Sequence, residues 1–236
     1  MNETYDGFAR GVPASEALPA ERAAFIRKTY LHLAGAIAVF AVLTGFIVAS
    51  PAGYMIASTF LGTKYSWLIV LGAFMGVSWL AQSWASSGSS RGMQYAGLGL
   101  YTVAEAIIFV PMLYVVSAYS GVDVIAKAGI VTIGLFLGLT AVVFLTKHDF
   151  SFLRPILAIG GFVALGYIAS AILFGFSIGG LFAFIMVGFA GGSILYSTSD
   201  VLHRYRTDQH VAASLALFAG IALLFWYILS IFSRRD

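Results

Sequence analysis

Between Thr29 and Phe232 only twelve residues carry a charge, and they lie almost entirely between long, uninterrupted apolar runs. Such a chain cannot clothe a water-soluble globule. Of its 236 residues 10% are charged and 60% hydrophobic, with a mean hydropathy of +0.94, against about a quarter charged in an ordinary soluble domain. Most of the surface must face lipid. A span needs about 20 apolar residues, and hydropathy places seven of them: Thr29–Ser50, Tyr65–Ala85, Met93–Val116, Val124–Thr146, Pro155–Phe174, Leu181–Thr198 and Ala212–Phe232. These runs are continuously apolar and of helix length, whereas a β-barrel would alternate over segments of about 10 residues. The fold class is therefore all-α integral membrane, a seven-transmembrane-helix bundle, with residues 1–28 as a cytoplasmic tail, 29–232 as the membrane domain and 233–236 as a C-terminal tail.

The net charge of +3 reflects topology rather than nucleic-acid binding, because the basic residues are scattered over loops. Nine Lys and Arg fall on the side of the N-terminus and four on the other, so the positive-inside rule puts the N-terminus in the cytoplasm and the C-terminus outside. The expected location is a bacterial inner (plasma) membrane. The absence of Cys excludes disulfides and thiol chemistry,, and residues 1–28, with four acidic and four basic residues, lack the apolar core of a signal peptide,. Glycine pairs four apart (Gly72 and Gly76, Gly134 and Gly138, Gly188 and Gly192) read as close helix contacts within the bundle, or as a homo-oligomer interface,. Tyr65, Trp67, Trp84, Tyr119, Trp226 and Tyr227 read as interfacial anchors,.

Glu105 is the one charge in the middle of a span. An ionised carboxylate there costs at least a few kcal/mol, so Glu105 is either neutral or faces a polar cavity, and it is the leading candidate site. Tyr101 and Thr102 share its helical face and can reach it,, and Pro111 frees the carbonyl of Ile107 beyond it,. The plainer alternative is a neutral carboxyl that ties two helices together. His32 reads as a packed or interfacial histidine. His203 and His210, in the loop after the sixth span with Asp200, Arg204 and Asp208, could form a pH-responsive latch,.

Enzyme signatures are weak. Gly175 to Gly179 and Gly88 to Gly92 fit G-x-S-x-G, but neither has the strand-to-helix context that gives the motif meaning. A serine intramembrane protease would need a deep His, and His32 lies near the opposite face from Ser177. No H-E-x-x-H, Walker or Rossmann pattern occurs,, no predicted span holds an Asp, and the last holds no Lys for a retinal Schiff base. A non-enzymatic protein is expected, with an intramembrane hydrolase as the least favoured alternative.

The loops are more specific. Thr146-Lys147-His148-Asp149-Phe150-Ser151-Phe152-Leu153 resembles the T-K-x-D-[FL]-S-x-L loop of the Bax inhibitor-1/YccA-type membrane proteins, the transmembrane Bax-inhibitor-motif family. Arg27-Lys28-Thr29-Tyr30 is similar to that family's entry into its first helix. Ile194-Leu195-Tyr196 through Val201-Leu202-His203-Arg204 resembles its sixth helix, and Leu223-Leu224-Phe225 through Ile228-Leu229 its last. The likeness runs from Arg27 to Phe232. It implies two three-helix groups around a central last helix, and a pH-sensitive calcium leak, a stress-protective regulator or, in bacteria, a modulator of a membrane-anchored AAA protease.

In the leak mechanism that the resemblance implies, one aspartate on each of the last two helices shares a proton as a coupled pair. Here those positions are Ser197 and Gly220, and the arginines that some members place at the end of the second helix are replaced by Gln82, Ser83 and Trp84. Asp200 lies one turn from Ser197,. The expectation is that Glu105, Tyr101 and Ser197 converge near the midplane as an ion or proton site, with Asp149, Asp200 and His203 as candidates in the cytoplasmic loops. No resident cofactor or metal is expected, only calcium or protons in transit. Expected partners are the lipid bilayer, a membrane protease or other membrane protein and a second copy of the chain; nucleic acid is not among them.

Overall fold

The computed structural model describes residues 11–234 except Ser87 and Ser89, and leaves the Lys64 side chain undescribed; Arg10 and Arg235, counted above in the charge balance, lie outside the described residues. Among these the chain forms eight helices: α1 (Pro19–Ala49), α2 (Pro51–Leu61), α3 (Lys64–Ala85), α4 (Arg91–Tyr119), α5 (Val122–Thr146), α6 (Leu153–Phe174), α7 (Gly180–His203) and α8 (His210–Ser233). Seven are long and apolar enough to cross a membrane. The exception, α2, is 11 residues long, about 16 Å at 1.5 Å per residue, half of the roughly 30 Å hydrocarbon layer.

Pro51-Ala52-Gly53 therefore starts a helix where a plain separator was expected. A residue before proline is pushed out of the α region, and Ser50 is extended with its hydroxyl donating to the Ile47 carbonyl at 2.8 Å. Pro51 then opens α2 from its first position,. The fold-back is tight: a Cβ on Gly53 would lie 2.8 Å from the carbonyl oxygens of Ile47 and Val48.

Other boundaries differ from the hydropathy reading. α1 begins at Pro19, ten residues before the apolar run, because a helix continues past the hydrocarbon edge as long as its polar residues point to water. α7 likewise extends to His203 and α5 starts at Val122, so Asp200 and Asp123, expected in loops, occupy the end turns of spanning helices. Short caps set the remaining breaks. The Ser90 hydroxyl accepts from the Met93 amide at 3.3 Å, so this serine, the middle residue of one G-x-S-x-G match, is a helix cap. α6 ends on Gly175 at φ +76,.

α8 packs against α1, α3, α4, α5 and α7 and is the central helix. α4 is the other well-buried span, continuous through Pro111. An aromatic column binds α1, α3, α4 and α8 together: Phe40 meets Phe109 at 5.0 Å and Phe218 at 5.9 Å, Phe109 stacks on Phe225 at 5.7 Å and abuts Trp226 at 5.0 Å, and Trp226 stacks on Trp67. Trp226 and the buried Tyr227 are thus packing residues rather than interfacial anchors. Tyr65 and Tyr119 remain exposed.

The glycine pairs do not make close helix contacts within the bundle. A Cβ on Gly72, Gly76, Gly134, Gly138 or Gly188 would meet nothing within 4 Å, and only Gly192 has a neighbour, Leu157 at 3.6 Å. Close approach occurs instead at Gly97, where a Cβ would lie 2.6 Å from the Ala81 carbonyl oxygen and 2.8 Å from the Ala85 amide. Gly97→Ala should therefore force α3 and α4 apart and cost about 1–3 kcal/mol, which outweighs the roughly 0.5–1 kcal/mol that alanine gains over glycine in a helix. Gly72→Ala should be neutral or stabilising. Unfolding of both variants in mixed micelles checks the difference.

Candidate functional site

Glu105 is 6% exposed and Tyr101 5%. Four residues apart on α4, the phenol and the carboxyl lie one turn from each other on the same buried face,. Thr102, also expected to reach Glu105, donates instead to the Leu98 carbonyl at 2.8 Å. Tyr101 meets Phe218 of α8 edge-on at 6.0 Å and Phe74 of α3 at 6.1 Å. Since Tyr101 lies beside Phe218 and Phe109 beside Phe225, α4 and α8 run parallel, with Glu105 level with the stretch of α8 between those contacts.

The two positions at which the family resemblance implies paired aspartates, Ser197 and Gly220, lie elsewhere. A Cβ on Gly220 would meet Ile194 Cγ1 at 3.0 Å and Ser193 Oγ at 3.8 Å, both on α7. Phe218 and Gly220 are two residues apart, about 200° around the helix, so they point to opposite sides of α8. Ser197 is buried on α7, which packs against α5, α6 and α8, whereas α4 packs against α1, α2, α3, α5 and α8. The structure thus brings Tyr101 and Glu105 together but sets Ser197 across α8 from them, correcting the expected three-way convergence. Sequence spacing gives neighbours within one helix; it does not reveal which helix stands between two others.

At the end of the bundle that carries the N-terminus, Ser199 and Asp149 pin the α5–α6 loop to α7. The Phe150 amide donates to Ser199 Oγ at 3.0 Å, and Ser199 Oγ lies 3.5 Å from Asp149 Oδ1 and 3.4 Å from His203 Nδ1. Arg204 bridges Asp149 at 3.7 Å and Asp200 at 3.4 Å, so Asp200 is engaged in an ion pair at the end of α7. Ser199, fully buried, was not singled out by the sequence; its place opposite the T-K-x-D loop depends on pairing residues about 50 apart. The trio has a serine, a histidine and an aspartate but not the geometry of a nucleophile and base. His203 Nδ1 also faces the Ser199 carbonyl at 3.0 Å, which requires a proton on that nitrogen and removes it as a base toward Ser199 Oγ. His210 belongs to a separate group with His32 and Tyr95, so the two loop histidines do not form one latch.

A strap along residues 11–18 covers the α7–α8 loop. The Ala14 amide donates to Tyr205 O at 2.9 Å, the Thr207 amide to Val12 O at 3.0 Å, and Ser15 Oγ to His203 O at 3.0 Å. Tyr205, partly buried against the core, has its phenol pushed up by desolvation. No group of three or more metal-ligating side chains occurs among the described residues.

A sequence profile described as inhibitor of apoptosis-promoting Bax1 matches residues 22–236. The chain belongs to the Bax inhibitor-1 family. It is 30% identical to Bax inhibitor 1 of Schizosaccharomyces pombe over 98% of this chain and 84% of that one. It is 28% identical to Protein LIFEGUARD 4 of Arabidopsis thaliana over 92% of this chain and 87% of that one. An uncharacterized Pseudomonas aeruginosa protein is 35% identical over 48% and 51% of the two chains.

The exposed Asp149 carboxyl is held below the usual carboxylate range, first by the Ser151 amide, which donates to it at 2.9 Å, and then by the Ser151 hydroxyl and Arg204. A carboxyl depressed on folding contributes stability above its unfolded pKa of about 3.9 and loses it as pH falls through the folded value. Hydrogen-exchange protection at Ser151 should therefore drop below about pH 4, and Asp149→Asn should abolish that step. A protection factor independent of pH in the wild type would contradict it.

Proposed function

We propose that this Bax inhibitor-1 family protein is a proton-controlled cation leak, for calcium or protons, in which the Glu105 carboxyl takes the part of the two missing aspartates. The observation that carries this reading is the isolation of Glu105. It is mid-span and buried, one turn from Tyr101, and among the described residues no cationic side chain forms an ion pair with it. A carboxylate so placed costs at least a few kcal/mol unless water or a cation reaches it. Its ionisation is thus coupled to hydration of the bundle interior, and its neutral form to the closed packing described above. The sign follows: raising the pH favours the charged form and the hydrated, conducting state.

The basic residues clustered at the strap end, Arg91, Lys147, Arg204 and Arg206 among them, favour a cytoplasmic N-terminus by the positive-inside rule, and a bacterial plasma membrane is the location that suits such a chain. A second reading is favoured by the aromatic column. Phe40, Phe109, Phe225, Trp226 and Trp67 fill the bundle beyond Glu105, which suits a non-conducting protein that modulates a membrane-anchored AAA protease. Both readings are non-enzymatic.

Calcium and proton flux into liposomes holding wild type or Glu105→Gln, from about pH 5 to about pH 8 where a perturbed carboxyl can titrate, separates them. The leak predicts wild-type flux that rises with pH and a flat profile in the variant. No flux from either, in protein shown to be folded, would overturn the leak and favour the partner-bound role.

A further inference from the structure

We propose that the strap end of the bundle carries a binding site for the phosphate of an anionic phospholipid headgroup, built by Lys28 and His32 of α1, Arg91 and Tyr95 of α4, and His210 of α8. The inference does not depend on whether the protein conducts.

These side chains come from three helices distant in sequence yet form one cluster. The His32 ring stacks on Tyr95 at 5.4 Å with 21° between planes and lies 5.0 Å from His210. The Tyr95 hydroxyl is 3.3 Å from His210 Nε2. His32 Nδ1 faces the Lys28 carbonyl at 2.7 Å, which fixes the ring and turns its other nitrogen away from α1. Lys28, Arg91 and His32 all act electrostatically on His210.

The charges in this cluster are not balanced. Among the described residues neither Lys28 nor Arg91 is in an ion pair. The carboxylate that acts on His210 is Asp208, already paired with Arg206 at 3.5 Å. Two helix N-termini add to the field, since α4 begins at Arg91 and α8 at His210, the latter without a side-chain cap; a helix start carries roughly half a positive charge. Two fixed cations, two histidines and two helix starts therefore converge, with Asp208 committed to Arg206 and Glu21 two turns from Lys28 toward the start of α1, which is the chemistry that holds a phosphate.

The source is lipid rather than solution because of where the cluster lies. It sits at the starts of α4 and α8 and, on α1, where the polar first turns give way to the apolar run, and the flanking Leu31 and Tyr95 are 64% and 44% exposed, apolar surface suited to glycerol and acyl chain. Lys28 also borders an open cavity of about 430 Å³ under the strap, with Glu21 and Thr207 on its walls, which gives the headgroup's substituent room.

The test is native mass spectrometry of the full chain released from micelles containing phosphatidylglycerol, phosphatidylcholine or inorganic phosphate. The wild type should retain phosphatidylglycerol in preference to phosphatidylcholine. A Lys28→Gln/Arg91→Gln variant should bind it about 25-fold more weakly, about fivefold for each cation lost near a membrane surface. A Lys127→Gln/Lys147→Gln variant, with the same net charge, should bind like the wild type, and both should keep the wild-type thermal midpoint. Retention of inorganic phosphate, lost in the same Lys28/Arg91 variant, would support the site while moving its source to the aqueous phase. Equal weakening in the two double variants, or undiminished binding in Lys28→Gln/Arg91→Gln, would overturn the proposal.

Discussion

A helix enclosed by protein inside a membrane has no lipid face to satisfy, and that constraint on α8 organises the rest of the bundle. With neighbours on every side, it presents two separate faces to two sets of helices. One is aromatic and carries Phe218 and Phe225 toward α1 and α4. The other bears Gly220, small enough to let Ile194 of α7 approach to contact. Lipid tails offer no hydrophobic drive for helix association, so close-fitting rings and small residues must supply it through van der Waals contact.

Two functional positions are thereby placed back to back. On the α7 face, the two positions at which the family resemblance implies a carboxylate pair hold Ser197 and Gly220, and a Cβ on Gly220 would meet Ile194 at 3.0 Å. On the α4 face a single carboxyl, Glu105, is kept with a phenol as its companion. A pair of acids can share one proton between two helices, whereas a lone acid must exchange its proton with something that enters. In the proposed leak, this difference ties the chemistry of Glu105 to hydration rather than to a helix-to-helix bond.

Much of this was legible in the sequence, for identifiable reasons. The seven spans follow from continuous hydropathy, and the Tyr101–Glu105 pair from a spacing of four on one helix. α2 was missed because Pro51-Ala52-Gly53 marks a turn and a helix start in the same three residues. The beginning of α1 and the end of α7 were drawn short because hydropathy ends at the hydrocarbon edge while hydrogen bonding does not. The misplacement of Ser197, the role of Ser199 and the meeting of His32 with Tyr95 and His210 share one cause: they depend on which helices are neighbours, and that is decided by side-chain fit around α8, which periodicity does not encode.

The central claim, that one buried carboxyl at Glu105 exchanges a proton with the bundle interior, is tested most directly by difference infrared spectroscopy of the protein in lipid as pH is varied. The account predicts a pH-dependent carbonyl band from a protonated carboxylic acid that disappears in Glu105→Gln and shifts in Tyr101→Phe. A spectrum with no pH-dependent acid band, or one unchanged in Glu105→Gln, would contradict it.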